Sequence, residues 1–192
     1  MSATVTVVVR TRNRPAMLTR ALGSIGSQTF TDYEVVIVND AGDEAEVASV
    51  VDAQDAELRA KIQVVTNAVS KGREAALDCG LQASRNRYYA VHDDDDSWHP
   101  EFLARTVAYL DEHPDAGGVA TRCEIIRERV RADGTCTEIE REVLSTDMYG
   151  LSLVDMMVEN YTPPISQLIR REVADRVGHW DGSLQTQADW DF

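Results

Sequence analysis

The sequence predicts an α/β fold with a doubly wound, mainly parallel sheet. Strand-like apolar runs alternate with segments of helical spacing through the first part of the chain, and this alternation is typical of parallel sheets with helices on both faces. The connections between these segments are short, as such sheets require. Polar clusters follow the predicted strands, and doubly wound sheets bind their ligands at the carboxyl ends of the strands.

The first strand and helix form the clearest pair. Val5–Val9 is a continuous β-branched run, which predicts a strand covered on both faces. A loop follows over Thr11–Pro15, and Pro15 suits the first turn of a helix. The helix is predicted by apolar residues at helical spacing, namely Leu18, Ala21, Leu22 and Ile25.

Two further strand–helix pairs follow the same pattern. Tyr33–Val38 predicts a second buried strand, and a polar helix is expected over Glu44–Leu58. Ile62–Thr66 predicts a third strand, and Arg73–Gln82 predicts the helix after it.

The fourth predicted strand leads into a run of acidic residues. Tyr88–His92 is short and mostly apolar, and Asp93–Asp96 follows it directly. The next helix begins after Trp98–Pro100, is predicted by a stripe of apolar side chains and ends before Pro114.

Beyond residue 115 the pattern changes to alternating apolar and charged residues. Gly118–Ile126 and Thr135–Val143 are expected to pair as a hairpin around Ala132–Gly134, which is a turn signal. Short helices are expected over Leu151–Glu159 and Arg170–Val177.

Composition predicts one domain over residues 1–192, with residues 116–192 as a second lobe. Hydrophobic residues are 43% of the chain, enough to fill a single core. No apolar run reaches the roughly 18 residues of a membrane span. The N-terminus lacks the features of a secretory signal, so a cytoplasmic protein is expected. The last residues resemble the start of a helix, which predicts a truncated C-terminus.

The charge balance limits the partners. Lys+Arg 19 against Asp+Glu 33 gives a formal net charge of −14. Binding to duplex nucleic acid depends on positive charge that neutralises phosphates, so nucleic acid is not an expected partner. A phosphorylated small molecule would have to be held by local arginines, backbone N–H groups or a divalent cation.

The cysteines Cys79, Cys123 and Cys136 contain no C-x-x-C motif. Their spacing supports neither a zinc cage nor a disulfide framework. Buried reduced thiols are expected, and a bridge between Cys123 and Cys136 across the hairpin stays open as an alternative.

The acidic run Asp93–Asp96 has two interpretations. Carboxylates favour the positive N-terminal end of a helix, so a solvated loop that caps the next helix is one of them. The other is a divalent cation site, because four adjacent like charges at the end of a buried strand repel one another. Carboxylate oxygens suit Mg²⁺ or Mn²⁺, which proteins usually hold through one or two carboxylates and substrate phosphates.

Other polar residues are equally open to two interpretations. Asp40 either forms a turn or accepts a hydrogen bond from a base or ribose, and Thr11 either ends a strand or contacts the base. Asp189 either caps a helix or acts as a general base. The same choice between packing or solvation and ligand contact applies to Arg10, Arg12, Arg14, Arg73, His92, His99, Trp98 and Trp180.

Four segments resemble, in order and spacing, the family 2 glycosyltransferases of GT-A fold. They are Val7–Arg14, Val36–Gly42, His92–Pro100 and Ala188–Phe192, and the resemblance covers essentially the whole chain. It implies an inverting transferase that uses a nucleotide-diphosphate sugar, with a UDP-sugar as the expected donor. Residues 1–115 would then form the nucleotide-binding half, and the rest of the chain the acceptor-side half.

The resemblance also implies roles for the matched residues on the nucleotide side. Thr11, Asp40 and Arg73 would hold the nucleobase side of the donor, and Asp94 or Asp93 would reach the ribose or bridge to it through water. The sequence departs from the family where Ala76–Asp78 stands in place of the usual Ala-Arg-Asn, which puts more weight on Arg73.

The metal and the catalytic base are implied in the same way. Asp93–Asp95 matches the D-x-D motif, so Asp93 and Asp95 would hold Mn²⁺ or Mg²⁺, with Asp95 in direct contact. Asp189 aligns with the catalytic base, although Ala188 stands where the family usually has Glu.

The acceptor is expected to be a saccharide, a lipid-linked molecule or a protein, and peripheral membrane association is compatible with the sequence. Two other functions stay open. A metal-dependent sugar nucleotidyltransferase is one, although Thr11–Pro15 contains no glycine for a phosphate loop. A non-catalytic module that binds nucleotide and metal is the other.

Overall fold

The computed structural model describes residues 3–131, 135–144, 150, 152–158 and 160–178. In chain order the strands are β1 (Val5–Thr11), β2 (Tyr33–Asp40), β3 (Ile62–Asn67), β4 (Tyr88–Asp93), β5 (Gly118–Ala120), β6 (Glu124–Val130), β7 (Cys136–Val143) and β8 (Gln167–Arg170). The helices are α1 (Pro15–Gly26), α2 (Glu44–Asp52), α3 (Ala56–Ala60), α4 (Arg73–Gln82), α5 (Phe102–Glu112), α6 (Leu153–Met156) and α7 (Arg171–Val177), and a 3-10 turn at Pro164–Ser166 precedes β8.

The main sheet has the strand order β3-β2-β1-β4-β8-β5 in the described residues. Strands β1 to β4 pair in parallel, whereas β8 runs antiparallel to both β4 and β5. This confirms the predicted mainly parallel sheet. The register places Arg10 opposite Asp93 and Thr11 opposite Asn39. The carboxyl ends of the three central strands therefore meet at one edge.

Apolar side chains cover both faces of this sheet. On one face Val7 of β1 belongs to a buried cluster with Leu22 of α1 and Leu103 of α5. On the other face Val8 belongs to a second cluster with Leu77 of α4. Burial on both faces explains the continuous apolar runs of these strands, and it confirms the doubly wound architecture.

Helix α4 approaches the sheet most closely at Gly80. A Cβ atom at this position would lie 2.4 Å from Cγ1 of Val8 and 2.9 Å from Cγ2 of Val38. Only a residue without a side chain allows this approach. The contact sets how closely α4 packs on the sheet. Because α4 begins at Arg73, it also sets the position of Arg73 at the carboxyl ends of the strands.

The single helix predicted over Glu44–Leu58 is wrong, because this segment forms the two helices α2 and α3. The Asp55 carboxylate accepts a hydrogen bond of 2.9 Å from the backbone N–H of Leu58. Asp55 has an extended backbone and caps the start of the second helix. The capping residue therefore interrupts what would otherwise be one polar helix.

The hairpin prediction is right for β6 and β7 and wrong at its start. Residues 118–120 pair with β8 in the main sheet, while β6 and β7 form a separate antiparallel ribbon. The turn predicted at Ala132–Gly134 lies outside the described residues. Helix α7 confirms the helix predicted over Arg170–Val177, and α6 covers only the middle of the one predicted over Leu151–Glu159.

The alternative of a Cys123–Cys136 disulfide is wrong, because both residues are thiols in the structure. The Cys136 Sγ instead accepts a hydrogen bond of 3.1 Å from Nη1 of Arg20 on α1. Arg20 also forms a 2.9 Å ion pair with Glu128, so it attaches the β6–β7 ribbon to the main body. None of the helices in the described ranges combines the length and the apolar character needed to cross a membrane.

Candidate functional site

A cleft of about 370 Å³ opens at the carboxyl ends of β1, β2 and β4. It brings together Thr11, Asp40, Arg73 and the run Asp93–Asp95, which are the site residues predicted within the described part of the chain. The base predicted at Asp189 lies outside the described residues. The full lining is Arg10, Thr11, Arg12, Arg14, Asp40, Ser70, Gly72, Arg73, Ala76, Asp93, Asp94 and Asp95.

The buried Arg10 and the half-buried Asp93 form the floor of the cleft. The Arg10 Nε donates to Oδ1 of Asp93 at 2.8 Å, and Nη2 donates to Oδ2 at 2.7 Å. The same guanidinium donates to the backbone carbonyl of Arg73 at 3.1 Å and lies 3.6 Å from Oε2 of Glu74. Arg10 is 7% exposed. A buried guanidinium with this many partners is fixed in place.

Asp94 is almost fully buried, with 3% exposure. Its Oδ2 accepts a hydrogen bond of 2.8 Å from the Thr11 hydroxyl, and its Oδ1 lies 2.9 Å from Nη1 of Arg14. Burial raises the pKa of Asp94, and the Thr11 hydrogen bond and the Arg14 charge only partly oppose this effect. Thr11 therefore contacts the acidic run directly, which the sequence interpretation does not include.

Asp95 is the most open carboxylate of the run. Its side chain is 55% exposed, and its Oδ2 accepts a hydrogen bond of 2.9 Å from Nη2 of Arg14. Burial acts to raise the pKa of Asp95, but the hydrogen bond and the charge of Arg14 outweigh it and hold the pKa below its ordinary value. Asp95 is therefore ionised at neutral pH.

Asp96 is the last acid of the run and is half-buried. Burial, with help from the charges of Asp93 and Asp95, raises the pKa of Asp96 to about 7. Because Asp96 is not among the residues that line the cleft, it is the least suited of the four acids to hold a cation there.

Asp40 organises the loop between β3 and α4. Its Oδ1 accepts hydrogen bonds of 2.9 Å from the Asn67 side chain and from the backbone N–H of Lys71. Its Oδ2 accepts from the Ser70 hydroxyl at 2.6 Å and from the backbone N–H of Gly72 at 3.1 Å. A carboxylate has about four acceptor positions, and this loop uses all of them.

These hydrogen bonds also set the charge state of Asp40. Burial acts to raise its pKa, but the bonds from Ser70, Lys71, Asn67 and Gly72 outweigh it, and the pKa is lowered. Ser70 is a site residue that the sequence interpretation misses, although the polar segment after the third strand marks the loop that contains it.

Two aromatic residues considered as ligand contacts belong to the core. Trp98 is 8% exposed, stacks on Phe102 and donates a 2.6 Å hydrogen bond to the carbonyl of Ile165. His92 is fully buried, and burial lowers its pKa to about 4. Its Nδ1 lies 2.9 Å from the backbone carbonyl of Asp93, so the neutral ring supports the strand end.

The carboxylates of the cleft fit a divalent cation that is held partly by the protein and partly by the phosphates of a bound substrate. In the described ranges, no set of three or more Asp, Glu, His or Cys side chains is grouped to hold a metal. Arg10 engages both oxygens of Asp93, whereas Asp95 is exposed to the cleft. Because Mg²⁺ sites commonly combine one or two carboxylates with substrate phosphates, Asp95 is the best-placed ligand. The metal role of Asp93 stays a prediction.

The sequence of the chain also matches a known protein family. The family model for Glycosyl transferase family 2 matches residues 6–178. The uncharacterized glycosyltransferase YwdF of Bacillus subtilis strain 168 is 28% identical over 188 residues. The match covers 98% of this chain and 66% of that protein, so the chain spans just under two thirds of this relative.

Solved structures show the fold of the chain. The S. aureus protein TarS in complex with UDP superimposes with a TM-score of 0.68 at 19% identity, over 97% of this chain and 53% of that one. The mannosyltransferase PcManGT from Pyrobaculum calidifontis, solved with GDP-Man and Mn²⁺, gives a TM-score of 0.66 at 19% identity, over 96% and 49% of the two chains. The chain therefore belongs to glycosyl transferase family 2 and has the GT-A fold.

Proposed function

We propose that this chain carries the donor-binding and catalytic part of a glycosyltransferase. The enzyme moves a sugar from a nucleotide-diphosphate donor, with UDP as the expected nucleotide, to an acceptor hydroxyl. The observation that carries the proposal is the convergence of Thr11, Asp40 and Asp93–Asp95 in one cleft at the carboxyl edge of the sheet. Relatives in the same family and neighbours solved with UDP or GDP-Man support it.

The nucleoside occupies the β2 side of the cleft in this proposal. Arg73 is available to contact the base or a phosphate, because its side chain is 70% exposed. Its Nη2 lies 3.7 Å from Oδ2 of Asp93, which keeps it beside the floor of the cleft. Asp40 acts mainly by holding the loop that walls this side, since its oxygens are engaged there. Thr11 keeps Asp94 in position for the ribose.

The diphosphate lies near Asp95 and the arginines of the cleft. A divalent cation, Mn²⁺ or Mg²⁺, supplies Lewis-acid stabilisation of the negative charge that develops on the leaving nucleoside diphosphate. Asp95 is the residue that would hold the cation. Arg12 and Arg14 border the same cleft and add positive charge around the phosphates.

Asp189 is the proposed general base on the acceptor side. It removes the proton of the acceptor hydroxyl as that oxygen bonds to the anomeric carbon and the bond to the diphosphate oxygen breaks. A single displacement of this kind inverts the configuration at the anomeric carbon. In this scheme residues 1–115 bind the nucleotide and residues 116–192 bind the acceptor within one domain.

Calorimetric titration with UDP tests the proposal. Binding is expected with Mn²⁺ or Mg²⁺ present and is expected to weaken strongly in EDTA. Asp95→Ala is expected to abolish the metal-dependent part of binding. Asp52→Asn removes an exposed carboxylate outside the cleft and is the matched control, which should bind as the wild type does. UDP binding that ignores both the metal and Asp95→Ala would contradict the proposal.

A further inference from the structure

Two arginines hold the acidic run, and they differ in how firmly they are fixed. Arg10 is buried and has partners on β4 and α4. Arg14 precedes α1, and its side chain is 45% exposed. Its partners in the described residues include only two carboxylates, those of Asp94 and Asp95. Arg14 can therefore leave the acidic run without disturbing the core, and Arg10 cannot.

Arg14 spans the two carboxylates with its two terminal nitrogens. Nη1 lies 2.9 Å from Oδ1 of Asp94, and Nη2 lies 2.9 Å from Oδ2 of Asp95. A divalent cation on Asp95 would share that carboxylate with the guanidinium and repel it at close range. The cation and Arg14 therefore compete for Asp95.

We propose that Arg14 exchanges partners during donor binding: a divalent cation takes Asp95, and the released guanidinium pairs with the donor diphosphate. The inference rests on the proposed function and names a further residue that binds the donor. Arg14 lines the same cleft as Arg12 and Arg73, so the phosphates are within the space that it borders. A guanidinium suits them because its fork of N–H donors matches phosphate oxygens in pairs.

The exchange makes opposite predictions for the two ligands. With the cation alone, Arg14 is a competitor, so its removal should tighten cation binding. With the nucleotide and the cation together, Arg14 is a ligand, so its removal should weaken nucleotide binding. By thermodynamic linkage, the factor by which Mn²⁺ strengthens UDP binding equals the factor by which UDP strengthens Mn²⁺ binding. Removal of Arg14 should therefore reduce both factors equally.

The test measures Mn²⁺ binding alone, and UDP binding at saturating Mn²⁺, in the full chain and its Arg14→Gln and Arg14→Lys variants. Arg14→Gln is expected to bind Mn²⁺ alone about three- to tenfold more tightly, as suits the loss of two partly exposed ion pairs. It is expected to bind UDP with Mn²⁺ about three- to tenfold more weakly. Arg14→Lys keeps the charge and loses the fork, so its values should fall between those of wild type and Arg14→Gln.

Arg12→Gln is the matched control, because Arg12 lines the same cleft, is exposed and forms no ion pair within 4 Å among the described residues. It removes the same charge and should tighten Mn²⁺ binding less than Arg14→Gln does. Equal effects of the two variants on Mn²⁺ affinity, or unchanged Mn²⁺ affinity in Arg14→Gln, would overturn the exchange while leaving the proposed function intact. A wild-type chain that binds neither Mn²⁺ nor UDP would overturn both.

Discussion

Arg10 and Asp93 stand opposite each other in the register of two parallel strands, and their side chains form a two-pronged ion pair. The two residues lie 83 positions apart in the sequence, and the pairing of β1 with β4 brings them together. The Arg10 guanidinium donates to both carboxylate oxygens of Asp93, the first acid in the run. Asp95, whose side chain is 55% exposed, is the open carboxylate of the run.

Loss of Arg10 should destabilise the fold. Arg10→Met leaves the Asp93 carboxylate without its main partner. Removal of one member of a fully buried pair costs about 3–5 kcal/mol, and the 22% exposure of the Asp93 side chain puts the expected loss toward the lower end of that range. Urea unfolding at pH 7 measures the loss. The double variant Arg10→Met with Asp93→Asn should recover part of it, because Asp93 then no longer carries a charge that lacks its main partner. A double variant less stable than Arg10→Met alone would argue against this account.

Replacement of Asp40 should loosen the loop before α4. In Asp40→Asn an amide nitrogen stands in place of one oxygen, so two of the loop's donors lose their acceptor. A fully buried donor left unsatisfied costs about 1–3 kcal/mol, and because the bonds from Ser70, Lys71 and Gly72 are only partly buried, the loss should lie toward the lower end of that range. We expect lower stability in urea, weaker UDP binding and faster amide hydrogen exchange at Lys71 and Gly72. Asp52→Asn, an exposed control, should shift the unfolding free energy by less than about 0.5 kcal/mol.

The stability difference between wild type and Asp40→Asn should depend on pH. The pKa of Asp40 is lowered in the folded protein, because its hydrogen bonds outweigh burial. Its contribution is therefore fully present above the unfolded pKa of about 3.9 and is lost as the pH falls through the lower folded value. The difference should stay constant between pH 7 and pH 5 and shrink below about pH 4. A difference that grows in acid would contradict this assignment.

Thr11 should act through its hydroxyl group. Thr11→Val keeps the shape of the side chain and removes the hydrogen bond to the buried Asp94 carboxylate, which is worth about 1.5–3 kcal/mol for a charged acceptor. Lower stability and weaker UDP binding are expected. Thr11→Ser retains the hydroxyl and should restore most of both quantities. A valine variant with wild-type stability and UDP affinity, together with an impaired serine variant, would show that packing of the methyl group is responsible instead.

Asp189→Asn should separate donor binding from transfer. If Asp189 is the base, UDP affinity in the presence of Mn²⁺ stays at the wild-type value, because the base faces the acceptor. Sugar transfer falls by at least about 10²-fold, the usual contribution of a general base. Both quantities are measurable on the full chain, by calorimetry and by release of UDP from a UDP-sugar. Normal turnover by this variant would remove Asp189 from the mechanism.

The parallel part of the sheet could be predicted from the sequence, and its antiparallel edge, formed by β8 and β5, could not. Buried parallel strands carry long apolar runs, so β1, β2 and β4 are visible in the pattern alone. Strand β8 has only four residues, Gln167–Arg170, and pairs through its backbone with distant segments. Its place depends on tertiary contacts that no local periodicity records. The same holds for the split of the predicted helix at Asp55.

The candidate site could be located from the sequence, because polar residues that follow parallel strands must meet at one edge. The partner of each residue could not be predicted in this way. That Arg10 takes Asp93 and Arg14 takes the next two acids depends on strand register and side-chain geometry. The role of Asp40 as the centre of a loop depends on backbone N–H groups that have no sequence signature.

Gly80 shows how a position remote from the ligand can govern the cleft. Since the sheet surface at Val8 and Val38 leaves room for a hydrogen atom only, any larger residue would push α4 away from the sheet. This displacement would move the first residue of the helix, Arg73, away from the floor of the cleft. Natural variation at this buried position should therefore be as narrow as at the acids themselves, although the residue contributes no polar atom to the chemistry.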